Sequence, residues 1–126
     1  MAKPSRESNS QITGRITSDE RKAFGAYSKA MGLAAGTVAT LLMIRELRIG
    51  RLAHLKVDPM LQPIGNTAGT VTSHRFSKSQ KADFERHVDH AGISSMSQGL
   101  GFLCRAELRE RWLETALQTD SKRVES

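Results

Sequence analysis

The sequence has a single cysteine, Cys104, and few aromatic residues, which make up only 5% of its 126 residues. One thiol excludes an intramolecular disulfide framework and any zinc module built from several cysteines, and it is typical of a protein in a reducing compartment. The densest apolar run, Leu41 to Ile44, is four residues long, far below the roughly 18 that a transmembrane helix needs. The opening residues lack the apolar stretch of a secretory signal. We therefore expect a cytoplasmic protein that does not enter a membrane.

Catalytic motifs and metal ligands are also scarce. The sequence contains no P-loop, no dinucleotide fingerprint and no recognisable nucleophile motif. His87 and His90 lie near Asp83 and Asp89, but the i, i+3 spacing of the histidines is less favourable than the i, i+4 spacing of helical zinc pairs. No further ligands cluster with them in the sequence. We therefore predict no enzyme activity, no cofactor and no metal.

Basic residues, in contrast, are in excess. Lys and Arg number 19 against 13 for Asp and Glu, which gives a formal net charge of +6 and a pI near 10.0. This balance favours a polyanionic partner, most often a nucleic acid. The length and the 38% of hydrophobic residues suit one domain with a modest core.

One segment of the sequence occurs twice, 60 positions apart. Arg15-Ile16-Thr17 aligns with Arg75-Phe76-Ser77, and the offset holds without a gap for about thirty residues. The matches fall at the ends of the predicted elements and on their apolar faces, where structure requires them. We interpret the segment as a duplicated unit. Further matches at this offset are Phe24 with Phe84, Gly32 with Gly92, Leu33 with Ile93 and Arg45 with Arg105.

Each copy is predicted to contain a strand, a short helix, a glycine turn and a long helix. In the first copy, alternation over residues 11–17 predicts a half-exposed strand, Ser18 is a good N-cap, and Gly32 is the stop signal. Apolar residues then predict a mostly buried helix from about Ala34 to Leu55. The matching features of the second copy are a strand over 71–77, a helix stop at Gly92 and Ser94 as the N-cap of the long helix.

The chain accordingly divides into five segments. Proline, glycine and asparagine between the copies indicate a linker, and both ends are polar and expected to be flexible. The segments are a basic arm (1–10), the first repeat (11–55), the linker (56–70), the second repeat (71–117) and a tail (118–126).

Gly99 and Gly101 interrupt the predicted second long helix. They leave two interpretations open, which are close helix packing and an irregular helix.

Neither copy is expected to fold alone, because a strand with two helices is too small to close a core and a lone strand leaves backbone groups unpaired. Pairing of the copies solves both problems, since the strands then form a two-stranded antiparallel ribbon over four helices. Alternation places one set of side chains toward the helices and the other outward. The expected inward set is Ile12, Gly14, Ile16, Thr72, His74 and Phe76, and the expected outward set is Gln11, Thr13, Arg15, Val71, Ser73 and Arg75.

This arrangement resembles the ribbon-helix-helix fold of the Arc and MetJ repressors, and Gln11-x-Thr13-x-Arg15 is especially close to that family's outward base-reading pattern. The resemblance implies a mainly α fold with a two-stranded antiparallel β-ribbon. Two copies in one chain resemble the TraY type of relaxosome accessory protein from conjugative plasmids, which implies a tandem ribbon-helix-helix forming an intramolecular pseudo-dimer. Three residues depart from the pattern: Gly14 and His74 at inward positions, and Ala34 as a poor N-cap.

The expected DNA contacts are of two kinds. The outward residues Gln11, Thr13, Arg15, Val71, Ser73 and Arg75 would read bases in the major groove. Because the two strands differ, we expect an asymmetric target. Phosphates would be held by the amides that open the long helices and by the basic arm. The phosphate-binding residues are then Ala35, Gly36, Thr37, Ser95, Met96, Ser97, Lys3 and Arg6.

The sequence thus predicts a sequence-specific protein for double-stranded DNA. The resemblance to relaxosome accessory proteins implies an accessory role at a plasmid transfer origin, with a relaxase or other relaxosome proteins as further partners and with autoregulation of transcription. We expect one chain to fold as a monomeric unit that binds cooperatively on longer sites. Alternatives are a transcriptional repressor or antitoxin unrelated to conjugation, and a helical interaction module that binds no DNA. A helix-turn-helix mechanism is less favoured, because the apolar helix around Leu41 to Ile44 offers few groups to base edges.

Overall fold

The computed structural model describes residues 11–75 and 77–125. They form six helices, about 65% helix, and one two-stranded antiparallel sheet, so the predicted mainly α fold with a β-ribbon is confirmed. Lys3 and Arg6 lie outside the described residues, as does Phe76. The elements are β1 (Thr13–Ile16), α1 (Ser18–Ala30), α2 (Ala35–Ile49), α3 (Leu52–Leu55), a 3-10 turn (Pro59–Leu61), β2 (Gly69–Thr72), α4 (Lys78–His90), α5 (Met96–Glu110) and α6 (Trp112–Glu125).

Helices α1 and α4 have equal length and begin 60 positions apart. Both open with a capping box, in which the Thr17 hydroxyl accepts from the Glu20 amide at 3.1 Å and the Glu20 carboxylate accepts from the Thr17 amide at 2.8 Å. Ser77 and Gln80 repeat this pair before α4. The N-cap of α1 is therefore Thr17, one residue before the predicted Ser18, because only Thr17 has a partner three residues on.

Both short helices end as predicted, at a glycine in the left-handed region. Gly32 and Gly92 each have a φ of +78°, a conformation that residues with a side chain rarely adopt. Each glycine amide donates to the carbonyl three residues earlier, at 2.9 Å in the first turn and 3.0 Å in the second. Each turn is followed by the longer helix of its half, α2 or α5.

Helices α2 and α5 also have equal length, but they begin 61 positions apart. The extra residue lies in the second turn, so that Ser95 is the N-cap of α5 and accepts from the Gln98 amide at 3.1 Å. The predicted cap Ser94 is therefore wrong by one residue. Ala34 precedes α2 with no side-chain cap bond, as its methyl side chain requires.

The two predicted long helices are each broken in two. Left-handed residues end α2 at Gly50, with a φ of +63°, and α5 at Arg111, with a φ of +53°. Short α3 follows the first break, and α6 follows the second and extends to Glu125, through the segment predicted as a flexible tail. A left-handed residue cannot continue an α-helix, so each break redirects the chain.

Two buried glutamates form hydrogen bonds across these breaks. Glu46 and Glu107 are each 2% exposed. Glu46 accepts from the amide of Leu52 at 2.7 Å, and Glu107 accepts from the amide of Leu113 at 2.8 Å. Because these amides belong to the first turns of α3 and α6, both carboxylates lie at helix N-termini, where negative charge is stabilised.

The two strands pair antiparallel, with Thr13 opposite Thr72 and Ile16 opposite Gly69. The expected ribbon is present, but both strands are shorter than predicted, and β2 begins inside the predicted linker. The expected inward and outward sets of the second strand are also exchanged. Val71 and Ser73 are buried, whereas Thr72 and His74 are exposed. The register is one residue away from the one that the repeat implied.

Burial of Val71 explains this register. Val71 is the one apolar residue of β2 and is 2% exposed, so facing it outward would leave the strand without an anchor in the core. The Ser73 hydroxyl meanwhile accepts from the Ile12 amide at 3.0 Å and donates to the His74 carbonyl at 2.9 Å. A buried serine is tolerated because its hydroxyl is fully used.

Helix α5 packs directly under β1 through its glycines. A Cβ at Gly101 would lie 2.5 Å from the carbonyl oxygen of Arg15, and a Cβ at Gly14 would lie 2.8 Å from the side chain of Leu100. Close packing, rather than an irregular helix, therefore explains Gly99 and Gly101. A Cβ at Gly99 would likewise meet Val88 at 2.8 Å. The core below is made of buried side chains that include Ile16, Phe24, Leu52, Phe84 and Leu100.

Within the described residues, no single helix is long and apolar enough to cross a bilayer. Helices α1 and α2 reach the required length and composition only as a pair, and the two are bent by 93° relative to each other. Val38, Ala39, Leu42 and Met43 of α2 are buried in the core, where they serve packing.

Candidate nucleic-acid interface

The outer face of the ribbon carries polar side chains only. Thr13 and Arg15 of β1 and Thr70 and Thr72 of β2 are exposed. The register sets Arg15 opposite Thr70 and Thr13 opposite Thr72, and the two hydroxyl oxygens of the second pair are 3.0 Å apart. Hydrogen-bonding groups from both strands therefore form one continuous surface.

Gln11 extends this face two residues before β1 begins at Thr13. The residue is exposed, and its amide nitrogen donates to the carbonyl of Ser73 at 3.1 Å. The bond holds the Gln11 side chain against the ribbon while its amide oxygen is left available. One side of the sheet therefore carries all three residues of the first strand that are predicted to read bases, which are Gln11, Thr13 and Arg15.

The second strand presents different residues from those expected. The predicted outward orientation of Val71 and Ser73 is wrong, because they are 2% and 1% exposed and face the core. Thr70 and Thr72 take their places. The alternation in Thr70-Val71-Thr72, with one apolar residue between two threonines, predicts this arrangement. The proline, glycine and asparagine content of residues 56–70 instead predicts that Thr70 belongs to the linker.

Arg75 does not lie on the ribbon. It is exposed, but it comes three residues after the end of β2, in the connection to α4. Arg15 has no cross-strand arginine opposite it and pairs instead with Thr70. In the described part of the chain, no carboxylate lies within ion-pair distance of Arg15, so its guanidinium remains available to a ligand.

The beginnings of α2 and α5 flank the ribbon on its two edges. The Ser73 amide donates to the Ile12 carbonyl at 2.9 Å, so the next pair, Thr13 with Thr72, directs its backbone groups outward to the edges. At one edge the Ser97 hydroxyl donates to the Thr13 carbonyl at 2.6 Å. At the other, a Cβ at Gly36 would lie 2.6 Å from the Thr72 carbonyl oxygen.

The predicted phosphate-binding groups are therefore beside the predicted base-reading face. Thr37 is partly committed, because its amide donates to the Ala34 carbonyl at 3.0 Å and its hydroxyl lies 2.7 Å from the Nε2 of His74. The Ser95 hydroxyl caps α5 by accepting a hydrogen bond from the Gln98 amide. Among the described residues, the first-turn amides without an acceptor are those of Ala35, Gly36, Met96 and Ser97.

The histidines do not gather ligands. No group of three or more His, Cys, Asp or Glu side chains suited to a metal ion occurs among the described residues. His87 instead lies with its Nε2 2.7 Å from the buried carboxylate of Glu46, and Asp83 pairs with Arg86. The His87 contact links α4 with α2, and the Asp83–Arg86 pair lies within α4.

Together, a polar ribbon face and two helix N-termini form a single surface. Arginine, glutamine and threonine side chains offer the donors and acceptors that base edges recognise. Backbone amides at helix N-termini offer the groups that bind phosphate. No family model, curated protein or solved structure matches the chain.

Proposed function

We propose that this chain binds double-stranded DNA by laying its β-ribbon in the major groove. The observation that carries the proposal is the exposed row of Thr13, Arg15, Thr70 and Thr72 on a two-stranded ribbon whose other face is buried. The major groove is wide enough for such a ribbon, and its base edges differ for all four base pairs. A net charge of +6 favours the encounter with a polyanion.

Arg15 is the main specificity residue in this proposal. Its guanidinium can donate two hydrogen bonds to O6 and N7 of a guanine, a contact that contributes roughly 1–3 kcal/mol of discrimination. Gln11 can contact an adenine through its amide. Thr70 and Thr72 offer a hydroxyl or a methyl group, which suits a thymine methyl. The two strands therefore read different bases, and the target is asymmetric.

The two helix N-termini position the ribbon. The amides of Gly36 and Ser97 lie at opposite edges of the sheet and would each meet the phosphate backbone on one side of the groove. Such contacts carry no sequence information, but they set the depth and the register of the ribbon on the duplex. Lys3 and Arg6 of the basic arm are further candidates for backbone contacts.

We also propose that the two halves form a tandem ribbon-helix-helix unit within one chain. Support comes from the equal helices α1 with α4 and α2 with α5, the two capping boxes and the two buried glutamates. One chain then supplies both strands, so the protein folds as a monomer. Neighbouring chains would bind cooperatively on longer sites.

Selection of bound duplexes from a random library tests DNA binding, followed by footprinting on the selected site. We expect one preferred asymmetric site at about 150 mM salt, with protection of a guanine N7 that Arg15→Ala abolishes. Lys29→Gln, an exposed change on α1 away from the ribbon, serves as the matched control. Absence of any sequence preference would overturn the proposal and favour a helical protein-interaction module.

The biological role that we propose is an accessory function at a plasmid transfer origin, with autoregulation of transcription. It rests on the resemblance of two copies in one chain to relaxosome accessory proteins. A nicking reaction with a relaxase and origin DNA tests it, since addition of the protein should raise the nicking rate. Repression of its own promoter without an effect on nicking would favour a transcriptional repressor or an antitoxin.

A further inference from the structure

An open cleft of about 440 Å³ lies beside the ribbon, between the linker and the start of α5. A cavity of this size suits a small organic ligand. Arg15 is the point at which the cleft meets the proposed DNA face. The other lining residues used below are Lys56, Pro63, Ile93, Phe102 and Arg105.

Three cationic residues, Arg15, Lys56 and Arg105, line the cleft. Arg105 is only 8% exposed, and its Nε lies 3.0 Å from the Glu20 carboxylate while its Nη1 donates to the Leu61 carbonyl at 3.2 Å. These bonds hold the guanidinium rigidly, and its Nη2 has no acceptor among the described residues. Lys56 is tethered through its Nζ to the Gly92 carbonyl at 3.2 Å.

An apolar wall faces these charges. Phe102 is half-buried, and the Arg105 guanidinium carbon lies 5.4 Å from its ring centre, so one side of the ring carries a cation. Ile93 and Pro63 complete the apolar part of the lining. A simple inorganic ion would gain nothing from this apolar wall. A ligand with a flat apolar body would pack against it.

We propose that this cleft binds a small phosphate monoester with a flat apolar body, such as a nucleoside monophosphate. Arg15, Lys56 and Arg105 supply three positive charges, and Glu20 offsets one of them. The remaining charge matches the −1.5 to −2 of a phosphate monoester near pH 7 better than the single charge of a carboxylate. The Arg15 guanidinium can donate two parallel hydrogen bonds to phosphate oxygens, and Arg105 can add one from its Nη2.

The cleft shares Arg15 with the ribbon face, which couples the two sites. When Arg15 binds the phosphate of a ligand in the cleft, its guanidinium cannot also contact a guanine in the major groove. The ligand therefore weakens specific DNA binding. This coupling rests on the proposed DNA-binding function, whereas ligand binding itself does not. The device would let a small metabolite regulate DNA binding.

Calorimetry of the full chain with AMP, adenosine and inorganic phosphate tests the site. We expect AMP to bind at least tenfold more tightly than phosphate, and adenosine not to bind, because recognition needs both charge and the apolar wall. Lys56→Gln should weaken AMP binding about tenfold, and the exposed Lys29→Gln should leave it unchanged. Equal affinities for AMP and phosphate, equal losses in the two lysine variants, or no binding at millimolar AMP would each overturn the site.

A DNA titration tests the coupling. With AMP at ten times its Kd for the parent chain, the Kd for the selected duplex should rise about tenfold. At the same AMP concentration, Lys56→Gln should reduce this rise to about twofold while it preserves binding to DNA. If AMP binds but the protein prefers no DNA sequence, the cleft stands and the DNA-binding proposal fails. If the duplex binds selectively but AMP does not bind, only the cleft proposal fails.

Discussion

Tyr27 and His87 lie 60 positions apart, and each contacts the buried glutamate of the other half of the chain. The Tyr27 hydroxyl donates to Glu107 at 2.5 Å, and the His87 Nε2 lies 2.7 Å from Glu46. Burial, and then the hydrogen bond to Glu107, raises the pKa of Tyr27 well above its usual range, so its hydroxyl remains a donor. One contact joins a tyrosine of the first half to a glutamate of the second, and the other joins a histidine of the second half to a glutamate of the first. The two halves are therefore linked twice.

Replacement of either buried glutamate should destabilise the fold. Each carboxylate accepts from a main-chain amide and contacts a side chain of the other half. We expect Glu46→Gln and Glu107→Gln each to lower the free energy of unfolding by about 1.5–3 kcal/mol, because hydrogen bonds to charged groups are worth about that much. Urea unfolding followed by circular dichroism measures the loss.

Glu85→Gln is the matched control for these variants. Glu85 is exposed on α4, and its replacement should change the free energy of unfolding by less than about 0.5 kcal/mol. A loss in Glu107→Gln no larger than that of Glu85→Gln would contradict the structural role of the buried carboxylate.

The glycines that pack against the strands of the ribbon should not tolerate alanine. In Gly101→Ala and Gly36→Ala the new Cβ would lie 2.5 Å and 2.6 Å from the backbone carbonyl oxygens of Arg15 and Thr72. A strand must shift to relieve either contact, so we expect losses of about 1–3 kcal/mol in the free energy of unfolding. Thermal unfolding of the variants measures this.

Gly25→Ala provides the opposite case. Gly25 lies in the interior of α1, and its added Cβ would meet only the far end of the flexible Arg21 side chain, at 2.9 Å. Alanine is favoured over glycine in a helix by about 1 kcal/mol, so this variant should be more stable than the parent. Equal effects of Gly25→Ala and Gly101→Ala would show that helix propensity, and not the contact with β1, decides both.

Exposed and buried residues of the ribbon should have separable effects. Arg15→Ala should relax the preference at one base position by roughly 1–3 kcal/mol and leave the unfolding midpoint nearly unchanged. Val71→Ala and Ser73→Ala should instead lower stability and leave the relative affinities for different duplexes intact, because both side chains face the core. Competitive gel shifts and urea unfolding on the same preparations separate the two. Loss of base preference in Val71→Ala, with folding intact, would contradict the observed register.

The order of the two strands and of α1, α2, α4 and α5 could be predicted because its signals are local. Ser77 and Gln80 form a capping box within four residues, and Gly32 and Gly92 end their helices because a positive φ favours glycine. The outward face of the first strand could be predicted for the same reason. Ile12 and Ile16 alternate with polar residues and are buried, so the polar residues between them face outward.

The register of β2 and the second helix break depend on tertiary contacts instead. The repeat implied that Arg75 mirrors Arg15, but the burial of Val71 and the bond from the Ile12 amide to Ser73 shift the strand by one residue. Arg111 is not a residue that predicts a left-handed turn. Its guanidinium pairs with Glu114 and lies 4.8 Å from the ring centre of Tyr27, contacts that stabilise the turn.

Cys104 should make the stability of the protein decrease at alkaline pH. Burial raises the pKa of its thiol from about 9 to about 12. Above pH 9 the unfolded chain therefore releases a proton that the folded chain keeps, and the free energy of unfolding falls by up to about 1.4 kcal/mol for each pH unit. Urea unfolding at pH 8, 9 and 10 should show a smaller decrease in Cys104→Ala than in the parent chain, whatever the difference at pH 7. Parallel curves for the two proteins would contradict a buried neutral thiol at this position.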